Sequence, residues 1–295
     1  MKTGIGVFFA AVFALGSSWC GFVLAPTLQL GGAKLATVLN STDIYPTQRT
    51  GDATLGLSIY RANGCAACHT EQVRQDGVAC EVLLTGLGKN QPEEFKKFVQ
   101  SLLPLPEWQP HSKELTAAFK DWNGTLPQVV LGRTDKESAD KMADLLKAAG
   151  CKSESQIYAF GTDIARGWGV RRSVAADFLY DNPVQLGSLR VGPDLANIGV
   201  RLADANIQLL HLYAPQSVAK NSAMPPFRYL FEVRKKIGDA SSPDAVTLPK
   251  EFASAAGYEV VPKTEAKELV AYLLSLRANV PLYEAPFTPV ISAKP

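Results

Sequence analysis

The chain has 295 residues, 46% of them hydrophobic and 20% charged, which is enough for one or two domains with real cores. Thirty basic residues against 28 acidic ones leave a formal net charge of +2, and that balance argues against a polyanion-binding protein as a class. The five cysteines are Cys20, Cys65, Cys68, Cys80 and Cys151.

Ile5 to Leu24 run without a charge, and the next charged residue is Lys34. Twenty residues of helix match the hydrocarbon thickness of a bilayer, about 30 Å. A cleaved signal peptide is the rival reading. Its Val23-x-Ala25 site is followed by Pro26, and Ala14-x-Gly16 would leave a short apolar region, so an uncleaved anchor is favoured. Trp19 before Cys20 is a poor residue for a lipoprotein site. Lys2 and the amino terminus then stay cytoplasmic, and the rest of the chain faces outward.

Gly31 to Arg49 reads as an irregular linker. Asp52 is a candidate N-cap for a helix with Leu55, Ile59 and Ala62 on one face, ended by Asn63-Gly64. Gly64-Cys65-Ala66-Ala67-Cys68-His69 follows. Cys-x-x-Cys-His is the attachment signature of a c-type haem. Two thiols add across the two vinyl groups of one porphyrin, and the two intervening residues let both sulfurs reach one edge of the ring. His69 is then the proximal iron ligand. A redox dithiol would not need the histidine, and no second Cys-x-x-Cys exists to complete a zinc site.

Residues 77–159 have their own pattern. Cys80 to Leu84 reads as a strand, Pro92 to Leu103 as a helix, Pro127 to Leu131 as a strand and Asp135 to Ala149 as a helix. Cys151 to Tyr158 fits a third strand. This alternation gives a small inserted α/β module, distantly similar to the C-terminal domain of the ribosomal stalk protein. With haem taking two cysteines and Cys20 in the membrane, Cys80 and Cys151 remain as a candidate disulfide between adjacent strands.

Residues 160–230 return to loops and short helices, including Ala205 to Tyr213. Near the C-terminus Thr264 caps a helix whose Ala266, Leu269, Val270, Leu273 and Leu274 follow helical spacing. It is expected to cross the first helix near Gly56, where a missing side chain permits close approach. The chain has only three methionines. Met1 is the initiator and Met142 lies in the inserted module. Met224, in a proline-braced loop, is therefore the candidate distal ligand. His111 and His211 are rivals; His211 among leucines reads as a core residue. The Pro193 carbonyl is placed to accept a hydrogen bond from His69 Nδ1. Arg190 and Arg201 are candidates to pair with haem propionates, against the alternative of solvated surface arginines.

Several stretches resemble one family in order: Tyr45 to Asp52, Gly64 to Arg74, Tyr180 to Val184, Arg190 to Ala196, His211 to Pro215 and Ser222 to Pro226. They are similar to the membrane-anchored mono-haem subunit (subunit II) of cbb3-type cytochrome c oxidase. The resemblance implies one covalent haem c held by Cys65, Cys68, His69 and Met224, in a chain that is not catalytic on its own. It also implies electron delivery to a haem–copper catalytic subunit, with other cytochrome c subunits as partners and no nucleic acid. The place implied is the bacterial cytoplasmic membrane, with the soluble part on the periplasmic side. The expected fold is mainly α: a transmembrane anchor over 1–30, a class I cytochrome c-like domain over 31–76 and 160–285, the module over 77–159 and a tail over 286–295. Typical members are much shorter at 77–159. Three alternatives stay open: the cytochrome c subunit of a nitric oxide reductase, a haem enzyme or gas sensor with an open iron site, and an interaction or assembly protein built on the module.

Overall fold

The computed structural model describes residues 2–31, 35–38, 41–238 and 240–281; the expected tail over 286–295 lies outside them. The first helical stretch is α1 (Lys2–Trp19), a π turn over Cys20–Leu24 and α2 (Ala25–Gly31). The 26-residue span Gly4–Gln29 holds an 18-residue window of mean hydropathy 2.0, none of it buried, so it is long and apolar enough to cross a membrane. The span runs past Pro26, which has no N–H to give. The helix widens just before it: the Ala25 N–H reaches the Cys20 carbonyl, and the Thr27 hydroxyl donates to the Val23 carbonyl at 2.7 Å. The stretch read as an irregular linker contains a small ribbon, β1 (Ala36–Thr37) on β2 (Ile44–Tyr45).

The chain continues through α3 (Asp52–Ala62), β3 (Gly77–Gly86), α4 (Pro92–Leu102), α5 (Ser112–Lys120), β4 (Gln128–Thr134), α6 (Lys136–Ala148), β5 (Lys152–Phe160) and the short α7 (Thr162–Ala165). After a long irregular stretch come α8 (Ile198–Arg201), α9 (Ala205–Tyr213), α10 (Pro215–Val218), β6 (Phe231–Lys235), β7 (Tyr258–Pro262) and α11 (Thr264–Ser275). By contacts it forms two units. One is Met1–Glu71, Ser173–Pro193 and Leu202–Ser275; the other is Gln72–Arg172, Asp194–Arg201 and Leu276–Pro295.

In the first unit α3 crosses α11 at Gly56. A Cβ built there would lie 1.9 Å from the Glu268 carbonyl oxygen and 2.8 Å from Tyr272 Cβ, so the crossing has the intimacy expected of it. The buried face of α3 is Gly56 and Tyr60 rather than Leu55, Ile59 and Ala62; Leu55 is 52% exposed. The cap position belongs to Gly51, and Asp52 instead sits in the first turn, where its charge favours the helix dipole. On α11, Ala266, Leu269 and Val270 are buried as the spacing requires, and Tyr272 joins them, its ring 5.1 Å from that of Tyr60. The ribbon β6–β7, absent from the sequence reading, is locked by Glu259. Its carboxylate accepts from Arg234 Nε at 2.9 Å and from the Ser242 N–H at 2.7 Å.

In the second unit β3 lies between β4 and β5, antiparallel to both. Period-two alternation turns Cys80, Val82 and Leu84 into one core with Phe95, Val99, Trp108, Leu115, Met142 and Leu146. Asp135 starts α6 by accepting from the Ser138 N–H at 2.8 Å. The three strands and two of the helices follow the sequence pattern; α5 and the 3-10 turn Pro106–His111 before it were not read.

The expected Cys80–Cys151 disulfide is corrected: both are free thiols in the structure. Cys80 is opposite Ile157, while Cys151 precedes Lys152, which is opposite Gly86. Six residues of strand separate the two positions, about 20 Å at strand rise, far beyond bridging range. Both thiols are buried and held above the usual cysteine range by that burial.

Candidate haem site

The attachment box begins where α3 is forced to stop. Asn63 closes the helix with its backbone N–H on the Ile59 carbonyl at 3.0 Å and its side-chain amide on the same oxygen at 2.7 Å. Gly64 then adopts φ +66°, a left-handed turn that costs glycine little. The tight turn Cys65–Ala67 follows, with the Cys68 and His69 N–H groups on the Cys65 carbonyl at 3.1 and 3.0 Å. Local hydrogen bonding thus presents two thiols and an imidazole from one turn. Burial pushes the Cys65 thiol up to about 11. A redox dithiol works through a lowered thiol, and Cys65 moves the other way.

Residues 186–193 are bound along the box. Leu186 accepts from the Glu71 N–H at 3.1 Å, the Ser188 N–H donates to Ala66 at 3.3 Å, and the Gly192 N–H donates to Cys68 at 3.0 Å. This brings Pro193, distant in sequence, to His69: Nδ1 lies 2.8 Å from the Pro193 carbonyl oxygen. A carbonyl only accepts, so the contact places a proton on Nδ1, and in the neutral ring the lone pair is then on Nε2. That is the tautomer an iron ligand needs. A Cβ at Gly192 would stand 2.2 Å from His69 Cε1, so a side chain is forbidden beside the ring. These residues fit a haem c.

Arg190 sits next to the box, its Nε donating to Thr70 Oγ1 at 2.9 Å. Arg201 belongs to the other unit, where a guanidinium N–H donates to the Asp194 carbonyl. Met224 is half-buried in the loop after α10, its N–H on Ser222 Oγ at 3.2 Å. Met142 is fully buried in the module core. His111 is also in the module, 3.5 Å from Thr134 Oγ1 and 3.9 Å from Glu114. His211 is half-buried on α9, held below the usual histidine range by burial first and by nearby His69 second.

One group next to the box escaped the sequence reading. Glu71 is buried and accepts from Tyr272 Oη at 3.0 and 2.9 Å on its two oxygens. Burial pushes its carboxyl up to about 8, against the Tyr272 and Tyr60 hydroxyls and the Arg49 charge. Arg49 in turn pairs with Asp181 and lies over the Tyr272 ring, 5.3 Å from its centroid. Arg49, Glu71 and Asp181 all fall in stretches that carry the family resemblance; their mutual contact is what one sequence could not display.

Residues 143–248 match the family model described as Cytochrome C oxidase, mono-heme subunit/FixO. That stretch contains Arg190, Pro193, Arg201, His211 and Met224, while the Cys-x-x-Cys-His box lies outside it. No curated protein matches the chain. The match bears out the resemblance carried by the motifs: over residues 143–248 this chain is similar to the mono-haem subunit of a cytochrome c oxidase.

Proposed function

We propose that the chain is the membrane-anchored electron-transfer subunit of a cbb3-type oxidase, carrying one covalent haem c in a class I cytochrome c-like domain. The observation that carries this reading is the His69 Nδ1 contact with Pro193, next to two thiols on the same turn. A bound haem c would supply one-electron chemistry. Cys65 and Cys68 would attach it, His69 Nε2 and Met224 would ligate its iron, and Arg190 would pair with a propionate. The Pro193 carbonyl accepts a hydrogen bond from His69 Nδ1–H, which fixes the imidazole's orientation and basicity. With both ligands in place the iron would have no open position for peroxide or gas, and the chemistry supplied would be passing electrons one at a time. The α1–α2 helix keeps the domain beside its partners at high effective concentration, with the soluble part on the periplasmic side. The module of residues 77–159 serves as an added contact for a neighbouring subunit or a donor cytochrome.

The test is native purification through this chain, with its co-purifying subunits identified and oxygen reduction measured. A haem–copper subunit with cytochrome c oxidase activity is the expected result. The chain alone, or with a nitric oxide-reducing subunit and no oxygen reduction, overturns the assignment. On the full chain matured with haem, Met224→Ala is expected to lose the Met–iron charge-transfer band and open the site to carbon monoxide. An unchanged spectrum removes Met224 from the iron.

A further inference from the structure

Tyr229 is 59% exposed, yet its position is defined from several directions. Its hydroxyl donates to Asn63 Oδ1. Its carbonyl accepts from Lys263 Nζ at 2.8 Å, and its ring meets that of Phe227 edge-on at 6.0 Å. Asn63 is equally constrained. Its side-chain amide is committed to the Ile59 carbonyl that it caps, so Oδ1 is left facing outward as an acceptor.

These two residues occupy telling places. Asn63 directly precedes Gly64-Cys65, the start of the haem box. Tyr229 is the fifth residue after Met224. The segment between them is tied elsewhere by the Phe227 N–H on the Leu212 carbonyl at 2.9 Å. Beyond it the Tyr229 and Leu230 carbonyls are tied to Lys263, but none of these ties reaches the turn that bears the haem box. The Tyr229–Asn63 bond does. It joins the loop bearing the distal ligand to the turn bearing the proximal one.

We propose that Tyr229 is a positioning residue: its hydrogen bond to Asn63 latches the Met224 loop closed and sets how readily Met224 leaves the iron. This rests on the reading of Met224 as the distal ligand. Opening is a ligand exchange. The Fe–S bond breaks, a nitrogen donor such as imidazole forms an Fe–N bond, and the oxidation state is unchanged. A weaker latch populates the open loop more, so apparent imidazole affinity rises in proportion.

The experiment uses the full chain, matured with haem, oxidised and in detergent. Wild type, Tyr229→Phe, Asn63→Ala, the double variant and Met224→Ala are titrated with imidazole by absorbance at equal haem content. Tyr229→Phe removes one exposed oxygen and leaves the ring in place. Losing a hydrogen bond of ordinary net worth lowers the half-saturating imidazole concentration about two- to tenfold. Asn63→Ala is expected to act alike, and the double variant to go no further than the stronger single one. A residue that only braces the fold would lower the unfolding midpoint without moving this titration. Tyr229→Phe titrating like wild type, or effects that multiply in the double variant, overturns the latch while the Met224→Ala spectrum still reports Met224 as ligand. A Met224→Ala chain with an unchanged spectrum instead defeats the underlying reading, and the latch with it.

Discussion

Gly192→Ala puts the proposed haem geometry under direct stress. Gly192 is absent from the left-handed glycines, so alanine suits its backbone and the clash acts alone. The new methyl would lie 2.2 Å from His69 Cε1, 2.7 Å from Nδ1 and 2.9 Å from Nε2. Ordinary contact begins near 3.4 Å, so the ring or the loop must yield by about 1.2 Å (3.4 − 2.2). A shift of that size breaks the Nδ1 contact with Pro193, worth about 0.5–1.5 kcal/mol. Overpacking adds about 1–3 kcal/mol. The expected loss is about 1.5–4.5 kcal/mol in denaturant unfolding, together with an altered spectrum and a shifted reduction potential of the haem-loaded chain. Gly56→Ala is the control, because it strains the α3–α11 crossing and leaves the imidazole's neighbours alone. A Gly192→Ala chain with wild-type spectrum, potential and unfolding midpoint would refute the reasoning.

Gly56→Ala itself is expected to cost more than the about 1 kcal/mol that alanine gains over glycine inside a helix, since its Cβ would strike backbone; equal or higher stability in a denaturant melt would contradict the crossing. Tyr272→Phe leaves both Glu71 oxygens without their Tyr272 donor and is expected to destabilise by about 1–3 kcal/mol, measured the same way. Cys80 and Cys151 are expected to resist alkylation in the native chain and to react fully, without reductant, once unfolded. A disulfide-linked peptide in a non-reduced digest would show the strand register to be wrong.

Motifs whose spacing is itself the chemistry were the most legible. Cys65, Cys68 and His69 lie on one turn, and backbone bonding alone presents them together. The Pro193 acceptor and the Gly56 crossing were also readable, because carbonyl geometry and close helix approach leave few alternatives. The Cys80–Cys151 bond failed for a definable reason. Being in adjacent strands says nothing of register, and six residues of register exceed any disulfide's reach. The face of α3 was misread because Leu55 scores as apolar, while the buried positions, Gly56 and Tyr60, are a residue with no side chain and one with a hydroxyl. Glu71 was invisible as a buried carboxyl, since its tyrosine partner lies about 200 residues away.

The clasp at the ends of the module's main segment has a kinetic consequence. The Gln75 side chain accepts from the Arg172 N–H at 2.8 Å, the Asp76 N–H donates to Phe160 at 2.8 Å, and the Arg74 N–H donates to Asp163 at 2.8 Å. A stretch of about 100 residues therefore leaves and returns at nearly the same point. Once folded, it behaves as a short staple rather than a long tether. The diffusive search that must join α3 to α11 is shortened by about half its length, which lowers the closure entropy by about 0.6 kcal/mol. A ribosome releases residues 72–172 before α11 exists, so the module has time to form and shorten the path before the helix that completes the crossing is made.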